Sequence, residues 1–254
     1  MIKKIAPLLL CLLPVLSAAQ IVNIEERRIF STNDTTNWYG FLRLGASVIK
    51  VKDAVLQINT TGQVQYKKDR NLVLLLLDGR FLRAGKQDFN NAGFSHLRYN
   101  LRMKERLVFE AFLQAQYNRL LLIELRALAG SGLRYRLYKD DKTKNRIYLG
   151  TACLMEHNRF IEVIGDKNWV RWSNYVSFTL YPWQTVKLIN TTYYQPQFSD
   201  FDNYRFSTET RLDFPLGKKA SFSVDFAYRI DRSLPVDAPV STYSLMNSLT
   251  WRLN

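Results

Sequence analysis

Long segments in which apolar and polar residues alternate constrain this chain more than any other feature of its sequence. From Phe222 to Ile230, the even-numbered residues are Phe, Val, Phe, Tyr and Ile, and the odd-numbered ones are Ser, Asp, Ala and Arg. Successive side chains of a β-strand point to opposite faces, so this segment predicts a strand with one apolar and one polar face. Almost no segment has helical periodicity.

The same alternation recurs along the chain and predicts an all-β protein. Soluble strands typically have about five or six residues, whereas a tilted membrane strand needs about nine to eleven. Most of the alternating segments are longer than either, and their even number suits an up-and-down order. We therefore predict a closed antiparallel transmembrane β-barrel of about 12 strands. The predicted strands cover residues 38–50, 54–67, 71–84, 93–103, 105–118, 121–138, 144–157, 168–181, 183–196, 203–215, 219–231 and 241–253.

The lengths of the connectors between these segments predict that the two ends of the barrel differ. Connectors 85–92, 158–167, 197–202 and 232–240 are long and fall on one side of the sheet, which suits outer loops. The six-residue aliphatic run Leu72–Leu77 is too short for a membrane helix, and a buried strand explains it.

The N-terminus predicts export. Residues 1–19 combine a basic start, an apolar run and a small-residue cleavage site, as a signal peptide does. Residues 20–36 form a polar lead-in, predicted to be periplasmic, and residues 37–254 form the predicted barrel. Cleavage would remove Cys11 and leave Cys153 without a disulfide partner in the chain.

Aromatic residues near the predicted strand ends, such as Trp38 and Trp251, favour an outer-membrane location, because they suit the membrane interface. We therefore expect contacts with outer-membrane lipid and lipopolysaccharide, and with the barrel-assembly machinery during insertion. The formal charge of +14 does not indicate nucleic acid in an exported protein, and the sequence identifies no protein partner. The alternative is a soluble periplasmic β-barrel that binds an apolar ligand in its interior.

The polar parity of the strands predicts a charged lumen in which arginine predominates. Such a lumen is either a structural network of ion pairs, in a protein that acts as a structural component of the envelope, or a narrow pore that favours anions. The residues predicted to form the lumen charge network or pore lining are Arg98, Arg102, Glu124, Arg126, Arg134, Arg136, Arg205, Glu209, Arg211, Asp225 and Arg229. The other charged residues of inward parity are Arg43, Asp78, Arg80, Glu110, Arg146, Glu156, Arg171, Lys187, Asp213, Asp231 and Arg252.

The sequence predicts neither an enzyme nor a cofactor. The chain has only His96 and His157, and Ser95 faces away from His96 because adjacent strand residues point to opposite sides. We predict no catalytic residues, no cofactor-binding residues and no metal site. Gly130 and Gly132 lie on one face of a predicted strand, where they relieve crowding and allow curvature.

Three stretches resemble a known family. They are Trp38–Ser47, Ala129–Leu137 and Asp202–Leu216, in which glycine and aromatic residues alternate with charged ones. The pattern resembles the uncharacterised salt-induced outer-membrane proteins of the YdiY type, grouped as a domain of unknown function, and the likeness covers residues 38 to 254. The resemblance implies an outer-membrane barrel, and it carries over no catalytic residue.

Overall fold

A computed structural model describes residues 37–50, 54–84, 87–161, 163, 165–183, 185–217 and 220–251. The predicted signal peptide, the polar lead-in and the last three residues lie outside the described residues. The described chain consists of strands apart from its connectors and one 3₁₀ turn at Arg119–Leu121. The strands are β1 (Asn37–Lys50), β2 (Ala54–Lys68), β3 (Asn71–Ala84), β4 (Gln87–Arg102), β5 (Leu107–Asn118), β6 (Ile123–Lys139), β7 (Arg146–Phe160), β8 (Lys167–Leu180), β9 (Lys187–Gln197), β10 (Asp200–Pro215), β11 (Ala220–Asp231) and β12 (Ser241–Trp251).

The twelve strands form one antiparallel sheet in sequence order, which confirms the predicted all-β, up-and-down fold. Arg126 on β6 and Asp231 on β11 are 3.1 Å apart, although five strand spacings of a flat sheet would separate their strands by about 24 Å. The sheet is therefore strongly curled around an interior. Within the described residues no ladder joins β12 to β1, so the predicted closure of the barrel is not seen at that seam.

The strand ends differ most from the prediction at β4 and β10. β4 begins at Gln87, because residues 87–90 continue the ladder with β3 past a bulge at Leu82 and Arg83. β10 begins at Asp200, which pairs with Gln197. Two of the predicted long connectors therefore shrink to 85–86 and 198–199.

The prediction that connector length distinguishes the two ends is wrong. Connectors 140–145 and 181–186 lie at the opposite end from 161–166 and are as long. We call the end that carries connectors 119–122, 161–166 and 232–240 the capped rim, and the end that carries 103–106 and 140–145 the opposite rim.

The alternation separates two faces as predicted. On β8, Arg171, Ser173 and Tyr175 are buried in the interior, whereas Val170 and Trp172 are exposed on the outside. On β10 and β11, Arg205 is only 4% exposed and Phe226 is 41% exposed. The charged parity therefore faces the lumen and the apolar parity faces outward.

The aliphatic run of β3 places apolar side chains on both faces of the sheet. Leu74 and Leu76 point inward and form a small apolar core with Phe94 of β4, whereas Val73 and Leu77 are exposed outside. One wall of the lumen is therefore apolar, and the charged groups lie mainly on β4 to β11.

Candidate functional site: a buried ion-pair cluster in the lumen

Five charged side chains from five strands meet inside the curled sheet near the capped rim. They are Arg126 on β6, Glu156 on β7, Arg171 on β8, Arg205 on β10 and Asp231 on β11, and we call them the lumen cluster. Each has inward parity in its strand, and the curl of the sheet brings the five strands around a common centre. All five side chains are largely or completely withdrawn from solvent.

Glu156 is the centre of the lumen cluster. Its carboxylate accepts hydrogen bonds from Arg171 Nε at 3.0 Å and from Arg205 Nη2, and Arg126 Nε lies 3.4 Å away. Asp231 binds Arg126 Nη1 at 3.1 Å and Arg205 Nε at 3.0 Å. Guanidinium groups suit such an arrangement because each presents several fixed donors. The cluster thus links β6, β7, β8, β10 and β11 across the lumen.

Arg171 has no exposed side-chain surface, so each of its donors needs an acceptor. Besides Glu156, its Nη1 donates to the carbonyl oxygens of Gln195 at 3.2 Å and Asn203 at 2.9 Å. Its Nη2 donates to Asn203 Oδ1 at 2.8 Å, and its guanidinium carbon lies 5.0 Å from the centre of the Trp169 ring. Arg171 therefore ties β8 to the start of β10 as well as to the cluster.

A second hydrogen-bonded chain crosses the lumen closer to the opposite rim. Tyr175 Oη donates to Glu110 Oε2 at 2.7 Å, and Arg98 Nη1 donates to the same oxygen at 3.0 Å. Arg98 Nε donates to His96 Nε2 at 3.2 Å, and His96 Nδ1 lies 3.1 Å from Gln114 Oε1. In this arrangement His96 Nε2 accepts from Arg98, and His96 Nδ1 is the ring atom that faces the Gln114 oxygen.

Glycines make room for aromatic rings in and beside the second hydrogen-bonded chain. A Cβ added to Gly150 would lie 2.0 Å from Tyr175 Cε1, and one added to Gly130 would lie 2.6 Å from Phe112 Cζ. A Cβ at Gly132 would lie 2.1 Å from the carbonyl oxygen of Thr151. The prediction that Gly130 and Gly132 relieve crowding is confirmed, and Gly150 leaves the space that the Tyr175 ring occupies.

The connectors of the capped rim fold over the lumen cluster. Ser233, in connector 232–240, hydrogen-bonds Asp231 and lies 3.3 Å from Arg205 Nη2. Leu234 of the same connector packs against the buried residues Leu121, Ile123 and Phe160 of the neighbouring hairpins. This mouth of the barrel is therefore covered by chain that is tied to the cluster by hydrogen bonds and apolar contacts.

A cavity of about 80 Å³ lies under this cover. Its wall includes members of both networks, Arg126 and Arg205 from the lumen cluster and Glu110 and Tyr175 from the second chain. Gln116 and Leu234 also line it, so connector 232–240 forms part of its roof.

The structure brings most of the predicted lumen residues onto the inner face. Arg98, Arg126, Arg134 and Arg205 are buried there. Arg229 pairs with Glu209 at 2.6 Å, Arg211 pairs with Asp225, and Arg136 pairs with Glu105 at the opposite rim.

Two of the predicted lumen residues are exposed, which corrects the prediction for them. A bulge between Ile123 and Leu125 turns Glu124 out of the inward parity. Arg102 has inward parity but is the last residue of β4, so solvent at the opposite rim reaches it.

Sequence reasoning placed Glu156, Arg171 and Asp231 on the inner face but did not single them out as a centre. It missed Asn158, Ser233 and Tyr175 altogether. Uncharged polar or aromatic residues with inward parity are common in this chain, and no signal in the sequence distinguishes Asn158 or Tyr175. Ser233 lies in a connector, where strand parity gives no direction.

The fold and the inner face define this chain as an up-and-down antiparallel β protein with a polar interior. Residues 53–249 match the model of the family described as protein of unknown function, DUF481, and the chain belongs to that family. The predicted resemblance to an uncharacterised family is thereby confirmed, and the narrower YdiY-type likeness stays a prediction. No curated protein matches the chain.

Two solved structures are similar to it at low sequence identity. A structure titled "NanC porin structure in rhombohedral crystal form" has 10% identity and a TM-score of 0.47, with 84% of this chain and 99% of that chain covered. A "Bacterial polysaccharide outer membrane secretin" has 7% identity and a TM-score of 0.46, with 86% of each chain covered.

Proposed function

We propose that this chain is a bacterial outer-membrane β-barrel whose lumen is a narrow, covered passage that favours anions. The observation that carries the proposal is that apolar side chains face outward and charged side chains face the interior, the reverse of a soluble protein. Leu113 and Leu133 are exposed on the outside while Arg126 and Arg134, on the same hairpin, are buried inside. Soluble monomers rarely expose large contiguous apolar surfaces, whereas the hydrocarbon core of a bilayer requires them.

The outward aromatic residues support the same placement. Trp38, Tyr138 and Trp183 are exposed at the opposite rim, and Phe198 and Phe201 are exposed at the capped rim. Amphipathic rings of this kind are enriched where a membrane meets water. Within the described residues no helix is long and apolar enough to cross a membrane.

The rival proposal, a soluble periplasmic barrel that binds an apolar ligand, needs the apolar parity to face inward. It is opposed by the lumen cluster, which fills the interior with charged groups. Extraction of membranes with sodium carbonate tests the two. We expect the protein to stay in the membrane fraction and to need detergent for release, and recovery in the carbonate supernatant would favour the rival.

The lumen supports a narrow passage more than a wide pore, because the lumen cluster crosses it and connector 232–240 covers it. Planar-bilayer recordings of the purified protein should give small currents whose reversal potential in a salt gradient indicates anion preference. Arg102→Glu and Arg136→Glu at the opposite rim should weaken that preference, since rings of basic side chains favour anions. Cation preference in the unmodified protein would contradict the proposal of an anion-favouring passage.

The absence of catalysis is also part of our proposal. His96 is held by Arg98 and Gln114 in the lumen wall. His157 lies at the capped rim, 3.3 Å from Asp166 and 2.9 Å from Asn168. We propose structural roles for both histidines.

A further inference from the structure

The lumen cluster carries more positive than negative charge. Three guanidinium groups, those of Arg126, Arg171 and Arg205, surround the two carboxylates of Glu156 and Asp231. The neighbouring pairs Arg98–Glu110 and Arg229–Glu209 are each balanced. A buried charge without a counterion costs free energy, so the surplus of one positive charge in the cluster favours the binding of an anion.

Two buried amide groups beside Arg126 also lack an acceptor. Gln116 and Asn158 pair with Arg126 from its two sides in the sheet, on β5 and β7. Gln116 is 6% exposed and Asn158 is fully buried. Neither Gln116 Nε2 nor Asn158 Nδ2 has a hydrogen-bond partner among the described residues, although the oxygen of Asn158 accepts from Arg126 Nε at 2.7 Å.

The surplus charge and the unpartnered amide groups point to the same kind of ligand. The surplus of positive charge and the unsatisfied N–H donor of Gln116 are both relieved by one group that carries negative charge and several acceptor oxygens. Gln116 and Arg126 both line the cavity of about 80 Å³. A water molecule needs about 10 to 15 Å³ on this measure, so the cavity accommodates a group of a few heavy atoms.

From this arrangement we propose that the lumen holds a binding site for a small oxyanion, a carboxylate or phosphate group, in the cavity lined by Gln116, Arg126 and Arg205. The inference deepens the proposed function, because it names the chemistry that the covered lumen takes up. Connector 232–240 closes the site on the side of the capped rim, since Ser233 contacts Arg126 and Arg205.

The test is the thermal unfolding of the full chain in detergent, with sodium acetate or sodium phosphate added against sodium chloride at equal ionic strength. A ligand that binds only the folded state raises the unfolding temperature as its concentration rises. We expect acetate or phosphate to raise it in a saturable way that chloride does not reproduce. Equal effects of all three salts would overturn the site.

Variants decide whether the effect belongs to this site. Gln116→Leu removes one donor and should weaken binding about tenfold, as expected for a hydrogen bond to a charged group. Asn158→Asp places a carboxylate beside Arg126, so the variant should unfold at a higher temperature in chloride and lose its response to acetate and phosphate. Asn100→Leu is the matched control. Asn100 is also buried with an unpartnered atom, but that atom is an acceptor, Oδ1. Asn100 pairs with Glu110 in the sheet and not with Arg126.

A response to acetate or phosphate that persists unchanged in Gln116→Leu and Asn158→Asp would overturn the assignment. The proposed function fails separately from the site. Release by carbonate or a lack of anion preference would contradict the membrane passage, whereas unfolding in detergent measures binding without any passage of ions.

Discussion

The same ion-pair chemistry occurs in two very different surroundings in this protein. In the lumen cluster, Glu156 has no exposed side-chain surface and contacts three arginines. At the opposite rim, Glu105 is 89% exposed and contacts Arg136 at 3.0 Å. In water the attraction between two charges is screened and nearly offset by lost hydration. In the lumen the alternative to pairing is a buried, uncompensated charge.

The geometry of an ion pair in this protein therefore says little about its contribution to stability. The Arg136–Glu105 and Arg171–Glu156 contacts have the same 3.0 Å distance. What differs is the number of groups left without a partner if one member is removed. At the rim, water replaces the lost partner, whereas in the lumen cluster three guanidinium groups would lose a shared counterion.

The largest predicted effect follows directly. Glu156→Gln should lower the free energy of unfolding by about 3 to 5 kcal/mol, the range for loss of one partner from a buried ion pair. Glu105→Gln at the rim should change it by about 1 kcal/mol or less. Urea unfolding of both variants in the same detergent measures the difference. Similar losses in the two variants would show that the lumen cluster is reached by water and would remove the basis of the comparison.

The next effect tests whether the outer face of the same wall is in lipid. Leu113 is 57% exposed near the middle of β5. Leu113→Arg should cost about 2 to 4 kcal/mol if this position lies at the bilayer midplane. Leu216→Arg, in a connector at the opposite rim where Leu216 is also exposed, should cost about 1 kcal/mol or less.

Unfolding from lipid vesicles measures both substitutions. If Leu113→Arg is as harmless as Leu216→Arg, the outer face is in water, and the contrast between the lumen and its surroundings disappears. The result also separates a membrane barrel from a soluble one without fractionation.

The extent of sequence-based prediction differs between these regions for physical reasons. Alternation fixes parity, so the two faces, the antiparallel order and most strand ends were predictable from residues such as Phe226 and Arg205. Glu124 was misplaced because a bulge changes parity locally, and no residue type marks that bulge. The meeting of Glu156 with Arg205 depends on how far the sheet curls, which is a property of all the strands together.

The role of Gly150 has the same origin. A glycine in a strand indicates a bend or a close approach, but only the packed interior identifies Tyr175 as the group that approaches. The sequence therefore predicted the charge content of the lumen, and it could not predict the centre of the cluster or the partners of Ser233.

An intermediate effect tests the packing that holds the second hydrogen-bonded chain. Gly150→Ala would place a Cβ 2.0 Å from the Tyr175 ring, so the ring must move away from Glu110. We expect a loss of about 1 to 3 kcal/mol, as for other overpacked interiors. Gly93→Ala is the control, because a Cβ there meets nothing within 4 Å. Equal stability of the two variants would mean that Tyr175 is free to move.

The smallest effect concerns an exposed pair at the capped rim. Hydrogen bonds from Arg159 at 3.1 and 3.3 Å lower the pKa of Asp166 from its usual value of 3.8. A lowered pKa in the folded state stabilises the protein above pH 3.8, and that contribution is lost as the pH falls through the folded-state pKa. Asp166→Asn should therefore lower stability slightly at pH 7, and its difference from the unmodified protein should shrink as the pH falls through the folded-state pKa of Asp166. Since Asp166 is open to solvent, its contribution to stability should be far smaller than that of Glu156 at the same pH.

A loss of stability at pH 7 comparable to that of Glu156→Gln would contradict this. It would show that exposure to water does not decide how much an ion pair contributes to stability in this protein.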